Sequence, residues 1–189
     1  NVIIDNIYPL DQTLDKAKFN KLDLNKKNQY LKIKNNYPSI LPQTKKVIKN
    51  ADIIIYCPGT QHSSLYPTYL TNGIGDEIYK NKNCLKFFIT NIGADYESPV
   101  YIASEYVLNA VKYLNYSSVK NYLPQDLIDY VFVNNNKNNT LVNRVIFDKK
   151  KLDNIGLKYF AKNFEKNKSK GSHDGKKISN LIMKIINNL

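Results

Sequence analysis

Apolar residues in this sequence occur in short uninterrupted runs, separated by longer stretches in which they recur at helical spacing. The three clearest runs are 53–57, 84–90 and 127–133. Each is too short to span a membrane and is followed by turn-forming residues, which is typical of strands buried on both faces of a parallel sheet. Residues 73–80 and 100–114 carry apolar positions at helical spacing between these runs. This alternation predicts right-handed βαβ connections and an α/β fold.

The predicted architecture is a three-layer, Rossmann-like α/β domain over residues 1–189, with helices on both faces of a mainly parallel sheet. A chain of 189 residues that is 42% hydrophobic can bury the core of one such domain. Weaker patterns predict strands at 1–8, 30–33, 142–147 and 157–164, and helices at 43–50 and 173–189. The expected N-cap of the last helix is Ser172 or Asp174.

The first strand leads directly into a polar loop. Pro58 and Gly59 end the strand, and side-chain donors then fill every position before the next helix: Thr60, Gln61, His62, Ser63 and Ser64. Ligands of open α/β sheets bind beyond the carboxyl ends of strands, where exposed backbone N–H groups favour an anion. The loop therefore predicts a phosphate site, with turn formation and helix capping as the alternative role of its hydroxyls. Neither a Walker loop nor a dinucleotide fingerprint is present.

Polar residues also follow the second and third strands. Asn91 ends the second strand, and Asp95, Glu97 and Ser98 lie in the loop after it. Asp95 and Glu97 could hold magnesium through water beside a diphosphate, or cap the following helix. Because parallel strands end at one edge of a sheet, these residues, together with Asn134 after the third strand, are expected to converge with the first loop on one anion-accepting cleft.

The two histidines are His62 and His173. A histidine beside a phosphate site can donate a hydrogen bond to the anion or titrate near neutral pH, and the alternative is a surface or capping role. Their separation and the lack of an i, i+4 partner argue against a zinc site.

The net charge of +12 raises the question of nucleic-acid binding. Arg144 is the only arginine, and the lysines are spread along the chain. This composition is unfavourable for base and phosphate readout, whereas a basic surface also steers small anions. Nucleic acid is therefore the less favoured partner.

The cysteine pattern and the lack of long apolar runs bear on the compartment. Cys57 and Cys84 lie in apolar runs, which predicts buried, reduced thiols and a cytoplasmic protein, with a disulfide between them as the less favoured alternative. No run reaches the roughly 20 residues of a membrane span, so no membrane partner is expected. Formation of a homo-oligomer is left open.

The segment 51–78 resembles the signature of the 2-phospho-L-lactate transferase family and its bacterial branch, the gluconeogenesis factors. The matching positions are Ala51, Asp52, Pro58, Gly59, Thr60, Ser63, Ser64, Pro67, Gly73 and Ile74. Cys57 departs from the family's first loop glycine, and His62 stands where the family often has tyrosine. The Asn91, Glu97 and Ser98 loop and the His173–Asp174 turn resemble later family motifs more loosely.

This resemblance covers residues 42–189 and implies that the chain corresponds to the carboxyl-terminal part of a longer family protein. On this resemblance, the 189 residues do not include the family's amino-terminal half, which contains the glycine-rich turn that holds the nucleotide. The implied function is binding of a nucleotide diphosphate or nucleotide sugar, as in the gluconeogenesis factors. The alternative is transfer of a phospholactyl group from a guanosine diphosphate donor to a deazaflavin precursor with magnesium. Binding of nucleic acid through the lysines is a third hypothesis.

Overall fold

The computed structural model describes residues 38–93, 102–136, 143–167 and 171–189. The predicted strands at 1–8 and 30–33 lie outside these ranges, as do Asp95, Glu97 and Ser98. The strands are β1 Ile53–Tyr56, β2 Leu85–Ile89, β3 Tyr130–Asn134 and β4 Lys158–Lys162. The helices are α1 Pro42–Lys49, α2 Tyr66–Tyr69, α3 Ile74–Lys80, α4 Ala103–Tyr116, α5 Pro124–Leu127, α6 Lys149–Ile155 and α7 Gly175–Ile186. A π-helical turn, Gln61–Leu65, precedes α2.

The four strands form one parallel sheet in the order β1-β2-β3-β4. The register pairs Phe87 of β2 with Ile55 of β1 and with Tyr130 of β3, and Tyr130 in turn with Lys158 of β4. Helices connect each strand to the next, as parallel pairing requires. The predicted α/β class with a mainly parallel sheet is confirmed.

Alternate residues of the strands enter two separate cores. On one face Tyr56, Phe88, Val131 and Val133 pack with residues of the helices that connect the strands. On the other face, residues of β2 and β3 pack against α7: Phe87, Ile89, Tyr130, Phe132, Ile178, Leu181, Ile182 and Ile185. The sheet is thus the middle of three layers, as predicted.

The helix predicted at 173–189 is confirmed, and so is one of the two residues expected to cap it. The Asp174 side chain accepts hydrogen bonds from the backbone N–H groups of Lys176, at 3.0 Å, and Lys177, at 3.3 Å. A carboxylate at this position satisfies otherwise unpaired N–H groups. Asp174, rather than Ser172, is therefore the N-cap of α7.

Three predictions about individual segments are wrong. The first strand is not buried on both faces: it is the outer strand of the four that the structure describes, and Ile53 is 37% and Ile55 42% exposed. Residues 143–147 form only isolated bridges instead of a strand. Cys57 is exposed, since it follows the edge strand, whereas Cys84 is buried; both thiols are free.

The contact between α3 and the end of α4 depends on the absence of a side chain at Gly75. A Cβ placed there would clash with Ser118 Oγ and lie 3.2 Å from the Leu114 carbonyl oxygen. Ser118 Oγ itself donates a 2.7 Å hydrogen bond to that carbonyl, so it is held in place. Gly75 therefore permits close packing of two helices over the sheet.

We predict that Gly75→Ala lowers the free energy of unfolding by about 1–3 kcal/mol through overpacking, although alanine favours helix. Gly175→Ala is the matched control, because it places the same methyl group at the start of α7 with no heavy atom within 4 Å. The control should be neutral or stabilise by up to about 1 kcal/mol. Urea unfolding monitored by circular dichroism measures both variants, and equal stability of the two would contradict the packing account.

Candidate functional site

The carboxyl ends of the four strands bring several predicted polar residues to one edge of the sheet. The loop of residues 58–64, called here the β1 loop, follows β1, and Thr90 with Asn91 follows β2. Asn134 ends β3, and Glu165 lies three residues beyond β4. Polar side chains therefore lie at the edge where open α/β sheets bind ligands.

Asn91 and Gly59 join the ends of β1 and β2 by two reciprocal hydrogen bonds. The Gly59 N–H donates to Asn91 Oδ1 at 2.9 Å, and Asn91 Nδ2 donates to the Gly59 carbonyl at 3.0 Å. In a trans peptide the C=O and the following N–H point in opposite directions. Because the Gly59 carbonyl is held toward Asn91, the Thr60 N–H points away from that side chain. Asn91 thus fixes the backbone of the β1 loop, and both polar atoms of its side-chain amide take part in these two hydrogen bonds.

Gln61 gives a third hydrogen bond to the same part of the loop. Its Nε2 donates to the Gly59 carbonyl at 2.7 Å, and the side chain is 1% exposed. The sequence placed Gln61 among the loop donors but did not distinguish it from its neighbours. Within the described residues its Oε1 is buried without a hydrogen-bond partner. The sequence signal that could have identified Gln61 is its position two residues after Gly59, from which its side chain reaches the Gly59 carbonyl.

The remaining residues of the β1 loop differ in accessibility. Ser63 and Ser64 are exposed and Thr60 is half-buried, so their hydroxyls lie at or near the surface. The Thr60 side chain makes no capping hydrogen bond to the turn that follows it, which disfavours the capping alternative at that position. His62 is buried, with its ring 5.0 Å from the ring of Tyr66. The imidazole of His62 therefore packs inside the fold rather than facing solvent.

At the ends of β3 and β4, polar side chains mainly connect segments of the chain. Asn134 Oδ1 accepts a 2.9 Å hydrogen bond from the Phe164 N–H. Asn136 Nδ2 donates to Glu165 Oε2 at 2.7 Å, and Lys177 Nζ donates to the Glu165 carbonyl at 2.6 Å. This half of the edge is a network that holds the turn before α7.

His173 also lies at this edge, beside the end of β2. A carbonyl only accepts hydrogen bonds, so the 3.0 Å contact of His173 Nε2 with the Thr90 carbonyl places the proton of the neutral ring on Nε2. Burial lowers the pKa of His173 below its usual range, although the Thr90 carbonyl and Glu165 act in the opposite direction. The structure therefore favours the neutral imidazole.

A polar cavity lies at the opposite, amino edge of the sheet. It has a volume of about 470 Å³ and is lined by Lys45, Lys49, Glu77, Lys80, Asn81, Lys82 and Asn83. Lys45 and Lys80 both pair with Glu77 Oε1, at 3.2 and 2.7 Å, which ties α1 to α3. The lysines of this cavity are thus on the far side of the sheet from the β1 loop.

Two further properties concern the whole described part of the chain. Its helices include none that is long and apolar enough to cross a membrane. The described ranges also contain no group of three or more His, Cys, Asp or Glu side chains arranged to hold a metal ion. The predicted magnesium position at Asp95 lies outside those ranges and stays a prediction.

Sequence comparison identifies the family. A sequence model described as 2-phospho-L-lactate transferase CofD matches residues 16–165. A Clostridium acetobutylicum protein named "Putative gluconeogenesis factor" is 27% identical over 157 residues, which is 77% of this chain and 33% of that protein. A Thermotoga maritima protein with the same name is 33% identical over 98 residues, 51% of this chain and 28% of that protein. The chain belongs to the 2-phospho-L-lactate transferase CofD family.

Comparison with solved structures supports the parallel α/β fold described above. A crystal structure of a Bacillus halodurans protein superposes with a TM-score of 0.66 at 21% identity, over 77% of this chain and 47% of that chain. A second structure, titled as a member of the upf0052 family, gives a TM-score of 0.64 at 23% identity. The chain thus spans about a third of the length of the curated relatives it matches and about half that of the solved chains.

The lowered pKa of His173 predicts a pH dependence of stability. Between the lowered pKa and about 6.5 the unfolded chain binds more protons at this histidine than the folded chain. The contribution of His173 to the free energy of unfolding is therefore complete above about pH 6.5. It is lost as the pH falls through the folded-state pKa of His173. His173→Gln keeps an N–H donor for Thr90 but cannot titrate.

Urea unfolding of both proteins at several pH values between about 7.5 and 5 measures this contribution. The wild type should lose more stability than His173→Gln as pH falls, because other titrating groups are common to both. Parallel pH profiles would show that His173 has the same pKa in the folded and unfolded chains.

Proposed function

We propose that this chain binds a nucleotide diphosphate or a nucleotide sugar, with the phosphates at the β1 loop. The observation that carries the proposal is the double hydrogen bond between Asn91 and Gly59. It fixes the loop backbone at the carboxyl edge of the sheet before any ligand arrives. Binding then requires little ordering of the loop, which favours affinity.

Several groups of the β1 loop suit a phosphate. Thr60 is half-buried, Ser63 and Ser64 are exposed, and the Thr60 N–H points away from Asn91. Hydrogen bonds to a charged acceptor are about twice as strong as neutral ones. The net charge of +12 further favours the approach of an anion.

The family relationship supports a nucleotide ligand and leaves two roles. We rank binding without turnover first, because the signature at 51–78 resembles the bacterial branch more and two relatives are named putative gluconeogenesis factors. Magnesium would be held by Asp95 through water, and its chemical contribution would be to neutralise phosphate charge. None of the hydrogen bonds described above depends on it.

Phospholactyl transfer is the second candidate, favoured by the family description as 2-phospho-L-lactate transferase. Such a reaction relies mainly on positioning and charge neutralisation, which hydroxyl and amide donors can supply. Incubation with a deazaflavin precursor and a phospholactyl guanosine diphosphate donor separates the roles, because product forms only if the chain is the transferase.

Alanine substitution of the loop hydroxyls tests the proposed site. Thr60→Ala, Ser63→Ala and Ser64→Ala should each weaken binding of uridine or guanosine diphosphate compounds by about 1–3 kcal/mol, or roughly 5- to 150-fold in Kd, as expected for a hydrogen bond to a charged group. Isothermal titration calorimetry on the 189-residue chain provides the measurement.

Ser179→Ala is the control, because Ser179 is exposed on α7 and, among the described residues, its hydroxyl donates to the Lys176 carbonyl. It should leave the Kd unchanged. If the three loop variants instead bind normally and each lose about 1 kcal/mol of stability, the hydroxyls only stabilise the turn.

A further inference from the structure

The cavity at the amino edge of the sheet has an entirely polar and mainly basic lining. Its volume of about 470 Å³ is typical of a small-molecule pocket. All seven lining residues belong to the described segment 45–83, and they are four lysines, one glutamate and two asparagines: Lys45, Lys49, Lys80, Lys82, Glu77, Asn81 and Asn83. The ionised lining therefore carries a net charge of +3. A cleft with an excess of one charge attracts ions of the opposite sign.

The carboxylate of the lining is paired with two of the lysines. Lys45 and Lys80 contact the same oxygen, Glu77 Oε1, and the Glu77 side chain is only 7% exposed. The side chains of the two lysines remain 53% and 62% exposed. Because an ammonium group has three N–H donors, each of these lysines has donors left for a further acceptor. Glu77 thus positions two cations without cancelling the charge of the cavity.

The other two lysines are not paired with a carboxylate. Among the described residues Lys49 and Lys82 form no ion pair, and the Lys82 ammonium lies 3.3 Å from the centre of the Tyr79 ring. The ammonium of Lys120 lies 4.5 Å from the same ring centre. The two ammonium groups are therefore at most about 8 Å apart, roughly one Debye length at physiological salt. A bound anion would reduce their repulsion.

Two helices, α1 and α3, end at this cavity, and the carboxyl end of a helix carries a partial negative charge. At α1 this charge is offset by Asn81, whose Nδ2 donates to the carbonyls of Ile48 and Ala51, both at 2.8 Å. Asn81 is 8% exposed and joins the end of α1 to the end of α3. Neither Ile48 nor Ala51 lines the cavity. Lysine side chains, rather than these carbonyl oxygens, therefore set the charge of the cavity.

Stabilisation of helix ends explains only part of the lysine cluster. Lys49 lies in the last turn of α1 and Lys80 in the last turn of α3, where a cation is favourable. Lys45 precedes the last turn of α1, and Lys82 follows the end of α3. The cavity therefore contains more lysines than the two helix ends account for.

We propose that this amino-edge cavity binds a compact polyanion of the diphosphate type, held by Lys45, Lys49, Lys80 and Lys82. The lining has no apolar or aromatic side chain to receive a nucleobase, so the ligand consists mainly of its charged groups. It bridges α1, which precedes β1, and α3, which precedes β2. This site is separate from the β1 loop and does not depend on the proposed function.

Titration of the ¹⁵N-labelled 189-residue chain with inorganic pyrophosphate tests the site. The amide signals of residues 45–49 and 80–83 should shift, and their titration curves give the Kd of this cavity alone. Lys49→Gln/Lys82→Gln removes two cations and leaves the contacts of Glu77 in place. The Kd should rise roughly tenfold or more, because each lysine supplies a charge-assisted hydrogen bond.

Lys176→Gln/Lys184→Gln is the matched control, because it removes the same charge from two exposed lysines of α7. Lys184 also lies in the last turn of its helix, as Lys49 does. The control should leave the Kd of the cavity nearly unchanged. If Lys49→Gln/Lys82→Gln loses its circular dichroism signal, Asn83→Glu replaces it. This change adds a carboxylate to the lining at an exposed residue and should weaken binding similarly.

No shift of these amides at about 0.02 M salt, where surface charges are weakly screened, would overturn the site. An equal loss of affinity in the α7 control would also overturn it, since the binding would then follow net charge. Normal affinity with lowered stability in Lys49→Gln/Lys82→Gln would assign both lysines to the helix ends alone. Shifts with a single-stranded oligonucleotide but none with pyrophosphate would assign this face to nucleic acid and refute the proposal.

Ser63→Ala/Ser64→Ala separates this site from the proposed function. The double variant should weaken binding of uridine and guanosine diphosphate compounds and leave the pyrophosphate shifts at residues 45–49 and 80–83 unchanged. Loss of those shifts in the serine variant would refute the amino-edge site. Failure of the nucleotide compounds to bind, with the pyrophosphate shifts intact, would refute the proposed function and leave this site standing.

Discussion

The reciprocal hydrogen bonds between Asn91 and Gly59 are the interaction on which the site depends. They connect the ends of two adjacent parallel strands and set the direction of the peptide that begins the β1 loop. Gln61 donates a third hydrogen bond, to the Gly59 carbonyl, and so further fixes this peptide group. Without these bonds the loop hydroxyls would still follow β1, but their backbone would not be fixed relative to β2. A binding role therefore rests on the backbone geometry as much as on the identity of the hydroxyls.

Much of the fold could be predicted because apolar runs and helical spacing directly reflect burial in a parallel α/β sheet. The predicted runs 53–57, 84–90, 127–133 and 157–164 contain or largely overlap the four strands. The exposure of Ile53 and Ile55 could not be predicted, since an apolar run does not reveal whether its strand is central or at an edge. Of the candidate site, the convergence of Asn91 with the β1 loop followed from parallel topology. The burial of His62 and the role of Gln61 depend on a π-helical turn for which the composition gives no signal.

One-directional strand order has two consequences that bear on function. It places every connecting helix on one face, so α7 alone among the described helices covers the other. Within the described residues it also leaves the β1 loop at the border of the sheet. The amino-edge lysines, held around Glu77, are a separate positive region on the far side of the sheet. Charge alone would attract a phosphorylated ligand to either edge, but among the described residues the fixed loop with hydroxyl side chains lies at the carboxyl edge.

The most direct test of this account is to map where a diphosphate compound binds in the 189-residue chain by nuclear magnetic resonance. Titration of ¹⁵N-labelled protein with uridine or guanosine diphosphate should shift the backbone amide signals of Gly59, Thr60, Ser63 and Ser64 more than those elsewhere. Asn91 should also shift, because its side chain is bonded to Gly59. Shifts confined to the amino-edge residues Lys45, Lys49, Lys80 and Lys82 would show binding by general charge and would contradict a phosphate site at the β1 loop.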